Sequence, residues 1–169
     1  GALREFLVLG LEPASTLVGL RPLLRALEEM RPAGRTDIGQ AMSDVAERTP
    51  PRSLVIVISD FLFKEGYESG LRRLMGPRYD LYAIQMLSPQ EFEPTLSGDL
   101  RLTDAEDGDA AEVTVTAAVL EYYRRTLTAY CNELKAFCTQ RGATHLLASS
   151  AEPVQPLVLN YLRKAGLLR

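Results

Sequence analysis

One aspartate stands where α/β proteins most often place their binding chemistry. Residues 53–60 are Ser-Leu-Val-Ile-Val-Ile-Ser-Asp, a nearly continuous β-branched run that ends in Asp60. Such a run is typical of a parallel strand that is covered on both faces. Because open α/β sheets bind ligands outside the carboxyl ends of their strands, Asp60 is the first candidate ligand. The alternative is that Asp60 only caps the turn that follows its strand.

A hydroxyl and a second carboxylate precede this strand at the start of a helix. Thr36 and Asp37 lie just before an apolar helical face. If that helix docks beside the Asp60 strand, Thr36 and Asp60 converge on one point. Hard oxygen ligands of this kind suit Mg²⁺ or a similar cation, which keeps several waters and needs few protein ligands. The alternative is that Thr36 is a plain helix cap and that Asp37 only complements the helix dipole, and the spacing leaves both interpretations open.

The neighbours of Asp60 and Thr36 are candidates for supporting the site or for contacting a partner. We assign this role to Asp37, Ser59 and Phe61. Exposed aromatic rings at Phe61 and Phe63 would form a rim for a docking partner beside the cation. Burial of these rings beneath the following helix is the equal alternative.

Strands and helices alternate along the chain that positions these residues. The apolar pattern predicts strands at residues 3–9, 53–60, 80–87 and 144–148 and helices at 20–30, 36–45, 67–75, 117–141 and 154–165. Residues 88–94 are predicted to be a polar loop, and residues 104–109 an acidic turn within a β-hairpin. This order predicts one α/β domain, residues 1–169, with a mostly parallel sheet and helices on both of its faces.

Two segments together closely resemble a known family. They are residues 34–38, Gly-Arg-Thr-Asp-Ile, and residues 52–61, Arg-Ser-Leu-Val-Ile-Val-Ile-Ser-Asp-Phe. Both are similar to the C-terminal part of domain of unknown function family 58 (DUF58), a bacterial and archaeal family with a von Willebrand factor A-like domain. The similarity continues through the 80–87 strand, the turn after it, the acidic hairpin and the late long helix. The resemblance implies the Rossmann-like von Willebrand factor A architecture over most of the chain.

The resemblance also implies a metal-ion-dependent adhesion site made of three pieces. In von Willebrand factor A domains these are an Asp-x-Ser-x-Ser motif after the first strand, a Thr from a later loop and an Asp after the fourth strand. By resemblance Thr36 is the second piece and Asp60 is the third. No Asp-x-Ser-x-Ser occurs in this sequence, and Asp44 lies in mid-helix and is no substitute. We therefore expect an incomplete cation site and a sheet that lacks its first, central strand.

A sheet without that strand would expose an edge. We expect either that the parent protein is longer or that the chain closes the gap by forming a homodimer or exchanging strands. A complete sheet within one monomer would contradict this expectation.

The resemblance implies a non-enzymatic scaffold that mediates protein–protein contact. In the complete site, the cation would keep an open position for a carboxylate of the partner. The family further implies work beside a MoxR-type AAA+ ATPase in the assembly or maturation of other proteins. That partner is implied by the resemblance and by nothing in the composition.

The alternative function is a Mg²⁺-dependent, phosphatase-like α/β hydrolase that uses Asp60 as its nucleophile. Such enzymes carry Asp-x-Asp, whereas residues 60–62 are Asp-Phe-Leu and lack the carboxylate that would protonate the leaving group. His145, the single histidine, lies in an apolar strand and is interpreted as structural. No nucleophile elbow or Gly-rich phosphate loop occurs in the sequence. We expect that the chain is not an enzyme.

The composition limits the partners and the compartment. A net charge of −3 and arginines scattered along the chain argue against nucleic-acid binding. No apolar run approaches the roughly 20 residues of a membrane-spanning helix. Cys131 and Cys138 lie about 10 Å apart along a predicted helix, which is too far for a disulfide. We expect buried thiols in a reducing, cytoplasmic compartment.

Overall fold

The computed structural model describes residues 38–103 and 110–153, together with positions 25, 28, 29, 155 and 163. The elements along the described residues are, in chain order, α1 (Ile38–Arg48), β1 (Ser53–Ser59), α2 (Glu68–Arg72), β2 (Tyr79–Leu87), α3 (Pro89–Phe92), β3 (Gly98–Thr103), β4 (Ala110–Val115), α4 (Ala117–Thr139) and β5 (Thr144–Ser149). The predicted strand at 3–9 lies outside the described residues. So do most of the predicted helices at 20–30 and 154–165.

The predicted parallel sheet is confirmed for the strands β1, β2 and β5. Their order is β1-β2-β5, with Ser53 beside Tyr79 at one end and Leu87 beside Ser149 at the other. The β-branched residues of β1 suit an extended, pleated backbone. The predicted hairpin is also confirmed, because β3 and β4 form a separate antiparallel pair. The fold is therefore a mixed α/β architecture.

One face of the sheet carries the main hydrophobic core. The inward side chains of β1 and β2 pack there against α1, α2 and α4. The buried members include Met42, Val55, Val57, Leu71, Leu81, Leu134, Phe137 and Cys138. At roughly 1.5–3 kcal/mol for each large apolar side chain, this burial is the main stabilising term of the fold.

The second face of the sheet is uneven in its burial. Over β2 and β5, Ile84 and Ala148 are buried. Over β1, Leu54, Ile56 and Ile58 are 48%, 44% and 62% exposed. Within the described residues β1 pairs on one side only, with β2. The expected helices on both faces and the expected absence of a first central strand stay predictions.

The structure corrects the predicted loop at residues 88–94. Residues 89–92 form the single-turn helix α3. Its capping box is complete, because Glu91 N donates to Ser88 Oγ (3.2 Å) and Ser88 N donates to the Glu91 carboxylate (2.5 Å). A Ser directly before a Pro, with Glu at the third helical position, is a sequence signal for the start of a helix. The prediction overlooked this signal.

The long helix α4 forms close to its predicted bounds. Thr116 accepts a hydrogen bond from Val119 N (3.3 Å) at its start, and Gly142 takes a φ of 75° after its end. That left-handed conformation favours glycine and ends the helix. Cys131 and Cys138 are both buried free thiols, as predicted. Among the helices of the described residues, none has the length and apolarity to cross a membrane.

Candidate functional site

Asp60 lies at the carboxyl edge of the parallel sheet. It follows the last residue of β1 directly, and the ends of β2 and β5 lie beside it in register. Ser150 N donates to Leu87 O (2.8 Å), which ties the exit of β5 to the end of β2. Asp60 is partly exposed, so its carboxylate can reach solvent or a ligand.

The turn after β1 is organised by its own side chains. Phe61 N donates to Ser59 Oγ (3.1 Å), and Leu62 N donates to Asp60 Oδ1 (3.0 Å). Asp60 therefore does cap its turn, as one of the two interpretations stated. A carboxylate has about four acceptor positions, so one backbone N–H does not exhaust its capacity. The cap instead fixes the orientation of the carboxylate.

Phe61 is a buried residue in a left-handed backbone conformation. Its φ is 60° and its side chain is wholly buried. A non-glycine residue pays about 1 kcal/mol or more for this conformation, so burial of the ring must hold it there. The ring packs edge-on against Phe63, with centroids 6.3 Å apart. The interpretation of Phe61 as an exposed docking rim is wrong; it supports the turn from beneath.

A buried glutamine from β2 holds the same turn. Gln85 has no exposed surface, and its Nε2 donates to the carbonyl oxygen of Asp60 (3.0 Å). Its Oε1 lies 3.2 Å from His145 Nε2. Since the amide nitrogen is engaged by Asp60, Oε1 is the acceptor and His145 carries its proton on Nε2. The backbone of Asp60 is thereby linked to two strands of the sheet.

His145 is neutral near pH 7 in this network. Burial lowers the pKa of its imidazole to about 4, and the charge of Lys135 adds to the shift. Cys131 also hydrogen-bonds Gln85, which opposes the larger effect of burial in raising the pKa of this thiol. The prediction that His145 is structural agrees with these contacts. Gln85, Cys131 and the partly buried His145 form a polar network beneath the Asp60 turn.

A tyrosine from α4 holds the turn from the other side. The Tyr130 hydroxyl donates to the carbonyl oxygen of Phe61. Burial raises the pKa of Tyr130, and the nearby Tyr67, Glu68 and Asp60 raise it further, so the hydroxyl stays a donor. The rings of Tyr67 and Tyr130 meet edge-on with centroids 5.5 Å apart. Gln85 and Tyr130 therefore fix two consecutive carbonyl groups of one turn.

The structure brings some of the predicted site residues together. Asp60, Ser59 and Phe61 form one hydrogen-bonded turn at the carboxyl edge. Thr36 and Asp37 lie outside the described residues, so their convergence with Asp60 stays a prediction. Across residues 38–103 and 110–153, no three His, Cys, Asp or Glu side chains cluster as a metal site would require.

Two supporting residues were missed by the sequence reasoning. Gln85 is the single polar residue between positions 81 and 87 apart from the Tyr82 hydroxyl, and this interruption of an apolar strand was the available signal. Tyr130 lies in the predicted long helix, but helical spacing says nothing of where its hydroxyl points. Both act at a distance along the chain, 25 and 69 residues from their acceptors.

The arrangement can present one hard, anionic oxygen ligand in a fixed position. A carboxylate whose backbone is held by buried donors loses little freedom when it binds, which favours affinity and specificity. The His145 imidazole contacts Gln85 through its Nε2. This geometry suits binding of a cation or of a hydrogen-bond donor better than proton transfer.

The chain is similar to several uncharacterised mycobacterial proteins. It is 31% identical over 111 residues to proteins of Mycobacterium bovis and Mycobacterium tuberculosis, which covers 64% of this chain and 35% of each relative. It is 29% identical over 96 residues to a protein of Mycobacterium avium, which covers 57% of this chain and 56% of that protein. The aligned part thus spans about a third of the length of the first two relatives.

One solved structure and one family model complete the comparisons. The crystal structure of the conserved hypothetical protein BatB from Bacteroides thetaiotaomicron aligns with a TM-score of 0.44 and 10% identity, over 87% of this chain and 69% of that chain. A similarity of that size carries no argument about this fold. The model of the family described as "Protein of unknown function DUF58" matches residues 13–132, which is most of the chain. The chain therefore belongs to the DUF58 family.

Proposed function

We propose that this chain is a protein–protein interaction domain that binds its partner at the carboxyl edge of the sheet, through Asp60. The observation that carries the proposal is the support of the Asp60 turn by the buried Gln85 and the partly buried Tyr130. A strand-end aspartate that only closed a turn would need its own cap and no buried glutamine. A wholly buried polar side chain that links the Asp60 carbonyl to His145 and Cys131 favours a binding role for a turn held in one geometry.

The finer proposal is a partial metal-ion-dependent adhesion site of the von Willebrand factor A type. Asp60 and Thr36 would ligate Mg²⁺ or a similar cation, with Asp37 adding negative charge nearby. The donor chemistry fits, because carboxylate and hydroxyl oxygens are the ligands that Mg²⁺ prefers. The chain direction also fits. The last residue of α1 lies near the start of β1, because α1 ends just before β1 begins. Ile38, the first residue of α1, therefore belongs to the opposite end of this helix, which faces the carboxyl edge of the sheet. Asp37 is bonded to Ile38.

The remaining ligands of such a site would come from outside this chain. The aligned part of the M. bovis and M. tuberculosis relatives is about a third of their length, so those proteins hold further segments. The exposed aliphatic side chains Leu54, Ile56 and Ile58 mark where such a segment, or a second copy in a homodimer, would cover β1. The added segment or the second copy would also pair with the edge of β1 that faces away from β2, which no described strand occupies.

The partner that we propose is a MoxR-type AAA+ ATPase, with the domain acting as a non-enzymatic scaffold in the cytoplasm. The family resemblance supports the partner, and the two buried free thiols Cys131 and Cys138 suit a reducing compartment. The hydrolase alternative finds less support. The neutral His145 faces Gln85, and residues 60–62 are Asp-Phe-Leu, without the second aspartate of an Asp-x-Asp motif.

The test is the substitution Asp60→Asn. Asparagine keeps the oxygen that caps Leu62 N and removes the charge, so the turn should remain while the binding is lost. The affinity for a purified MoxR-type ATPase from the same organism is measured by calorimetry in the presence of Mg²⁺. It should fall about tenfold or more in this variant. The matched control Asp80→Asn changes an exposed carboxylate at the other end of β2 and should bind as the wild type does.

Two results would contradict the proposal. Equal binding by the Asp60→Asn variant would remove the carboxylate from the interface. Hydrolysis of p-nitrophenyl phosphate that requires Mg²⁺ and disappears in Asp60→Asn would show that the chain is an enzyme. Both assays are made on one preparation of each protein, and thermal unfolding confirms that each variant is folded.

A further inference from the structure

The amino edge of the sheet, opposite Asp60, gathers arginines that are far apart in the sequence. Arg52 precedes β1, Arg78 precedes β2, and Arg141 lies three residues before β5. Arg52 N donates to Arg78 O (2.6 Å), so the loops that enter β1 and β2 are direct neighbours. Because β5 pairs with β2 and is parallel to it, the Arg141 loop enters the sheet at the same edge.

The ends of two helices add further arginines. The helices α1 and α2 each precede a parallel strand, so each ends toward the edge where that strand begins. Arg48 is the last residue of α1, Arg72 is the last residue of α2, and Arg73 follows it. We call the following six residues the arginine edge: Arg48, Arg52, Arg72, Arg73, Arg78 and Arg141.

The arginine edge has the opposite charge to the chain as a whole. The net charge of the chain is −3, whereas residues 47–52, 72–80 and 139–143 carry the six arginines and only two carboxylates, Glu47 and Asp80. Across residues 38–103 and 110–153, none of the six guanidinium groups forms an ion pair with a carboxylate. Like charges that are gathered without counter-charges repel one another, and an anionic partner relieves that repulsion.

Part of the arginine edge is held in place by aromatic rings. The Arg141 guanidinium lies 4.0 Å from the centroid of Phe137 and donates to its carbonyl oxygen (3.0 Å), and Arg72 lies 5.7 Å from the same ring. Arg78 lies 5.3 Å from the ring of Tyr79. Stacking leaves most of the five N–H donors of each guanidinium for a ligand. Guanidinium groups that are already ordered lose less freedom on binding an anion.

Arg52 occupies a backbone conformation that favours glycine. Its φ is 66°, in the left-handed region, where other residues are strained. Phe61 has a similar φ of 60°, but its ring is wholly buried, whereas the Arg52 side chain is exposed. Burial therefore offsets the strain at Phe61 and does not offset it at Arg52. Because strain of this kind collects at functional sites, an arginine at this position indicates that its side chain acts outside the fold.

Helix dipoles explain only part of the arginine edge. Cations at the last turn of a helix complement its dipole, which accounts for Arg48 and Arg72 without a partner. It does not account for Arg52 and Arg78, which precede strands. The charges that the fold itself does not require therefore lie at the entry to β1 and β2.

We propose that the arginine edge binds an extended, acidic segment of a protein partner. Guanidinium groups match carboxylates in a bidentate manner. The loops that enter β1 and β5 lie two strand spacings, or about 10 Å, apart, a distance that roughly three or four extended residues cover. Nucleic acid is disfavoured, because it needs phosphate contacts along a longer track and the rest of this chain is acidic. Since Asp60 lies at the opposite edge, the domain presents two separate contact surfaces.

The test is fluorescence anisotropy with three labelled probes: hexaglutamate, hexaglutamine and a single-stranded thymidine hexanucleotide. In 20 mM NaCl the wild-type chain should bind hexaglutamate, bind the oligonucleotide more weakly and leave hexaglutamine unbound. In 500 mM NaCl the affinity for hexaglutamate should fall about tenfold or more, because exposed charges are screened.

Arg52→Gly separates binding from folding. Glycine removes the guanidinium and relieves the positive φ, so the midpoint of thermal unfolding should be at least as high as in the wild type. The affinity for hexaglutamate should nevertheless fall about threefold. Arg52→Gln with Arg73→Gln removes two charges and should weaken the binding about tenfold.

The matched control is Arg124→Gln with Arg125→Gln. It removes the same charge from two exposed positions in the first half of α4, away from the arginine edge. This variant should bind hexaglutamate as the wild type does. Circular dichroism confirms the fold of each variant.

Three outcomes would overturn the proposal. The first is a wild-type chain that does not bind hexaglutamate in 20 mM NaCl. The second is an oligonucleotide that binds as tightly as hexaglutamate, which would make the arginine edge a nucleic-acid surface. The third is an affinity for hexaglutamate that falls equally in the control and in the arginine-edge variants, or in none of them, which would separate the binding from this edge.

Discussion

The two edges of the parallel sheet present charge in different ways. At the carboxyl edge, a single carboxylate sits in a turn whose carbonyl groups are held by Gln85 and Tyr130 from the interior. At the amino edge, several arginines lie on the surface, resting on aromatic rings or at helix ends. The Asp60 turn is hydrogen-bonded to polar groups inside the fold, whereas the arginines at the amino edge are separate from those groups.

This difference indicates two kinds of recognition. A carboxylate fixed by buried hydrogen bonds favours one ligand in one geometry, since little freedom remains to be lost on binding. A group of exposed arginines attracts acidic surfaces over several ångströms and loses that attraction in salt. Substitutions at the carboxyl edge should therefore change the free energy of unfolding, whereas those at the amino edge should leave it nearly unchanged.

The largest effect is expected for Gln85→Leu. Leucine has a similar volume but cannot hydrogen-bond the Asp60 carbonyl, His145 or Cys131, so three buried or partly buried polar groups lose a partner. The free energy of unfolding should fall by about 2–3 kcal/mol, measured by urea denaturation. The control Gln90→Leu changes an exposed glutamine in α3 and should stay within about 0.5 kcal/mol of the wild type. Equal values for the two variants would mean that the network does not stabilise the fold.

Tyr130→Phe should have the next largest effect. It removes only the hydroxyl that donates to Phe61 O, which leaves a part-buried carbonyl without that donor. We expect a loss of about 1–2 kcal/mol in the same assay, and weaker partner binding by a turn that is less well held. Tyr122→Phe is the matched control, because Tyr122 is 67% exposed. A loss of stability in Tyr122→Phe as large as in Tyr130→Phe would contradict the assignment.

A smaller effect is expected from the pH dependence of His145. Its pKa in the fold is about 4, below the ordinary value of 6.5, so the unfolded chain binds the proton first as the pH falls. The contribution of neutral His145 is complete above pH 6.5 and is lost progressively between pH 6.5 and pH 4. Since the group is only partly buried, we expect about 1–2 kcal/mol over this range.

The check is the difference in unfolding free energy between the wild type and His145→Asn, measured from pH 7 to pH 4. Asparagine can still donate to Gln85 Oε1 but does not titrate, and carboxylates that titrate in this range contribute equally to both proteins. The difference should therefore change with pH in the direction that disfavours the wild type at low pH. A difference that is constant across the range would show that His145 keeps its ordinary pKa.

The sequence predicted those parts of the carboxyl edge that depend on neighbouring residues. A β-branched run ending in an aspartate specifies a strand and the position of Asp60 at its end. The expected cover on both faces is not seen among the described residues, where Leu54, Ile56 and Ile58 of β1 are exposed. It could not specify that Gln85 and Tyr130 meet this turn, because those contacts span 25 and 69 residues. The buried position of Phe61 was equally out of reach, since an aromatic ring after a strand suits a rim or a core.

The amino edge was harder to predict for the same physical reason. Arg52, Arg78 and Arg141 are far apart in the chain, and the sequence suggested only scattered positive charge. They become neighbours because β1, β2 and β5 are parallel and all begin at one edge. Local periodicity does not specify which strands pair. The pairing of strands decides which charged residues become neighbours. The site ligand Thr36 lies outside the described residues, so its role stays a prediction.

The smallest effect on stability is expected for Arg52→Gln with Arg73→Gln. Among the described rings, neither side chain stacks on one as Arg78 and Arg141 do, and both are exposed, so the free energy of unfolding should change by less than about 0.5 kcal/mol. Gln85→Leu should therefore make the protein easier to unfold, whereas the arginine variant should leave folding intact. A destabilisation above about 1 kcal/mol in the arginine variant would show that this edge, too, belongs to the folded core.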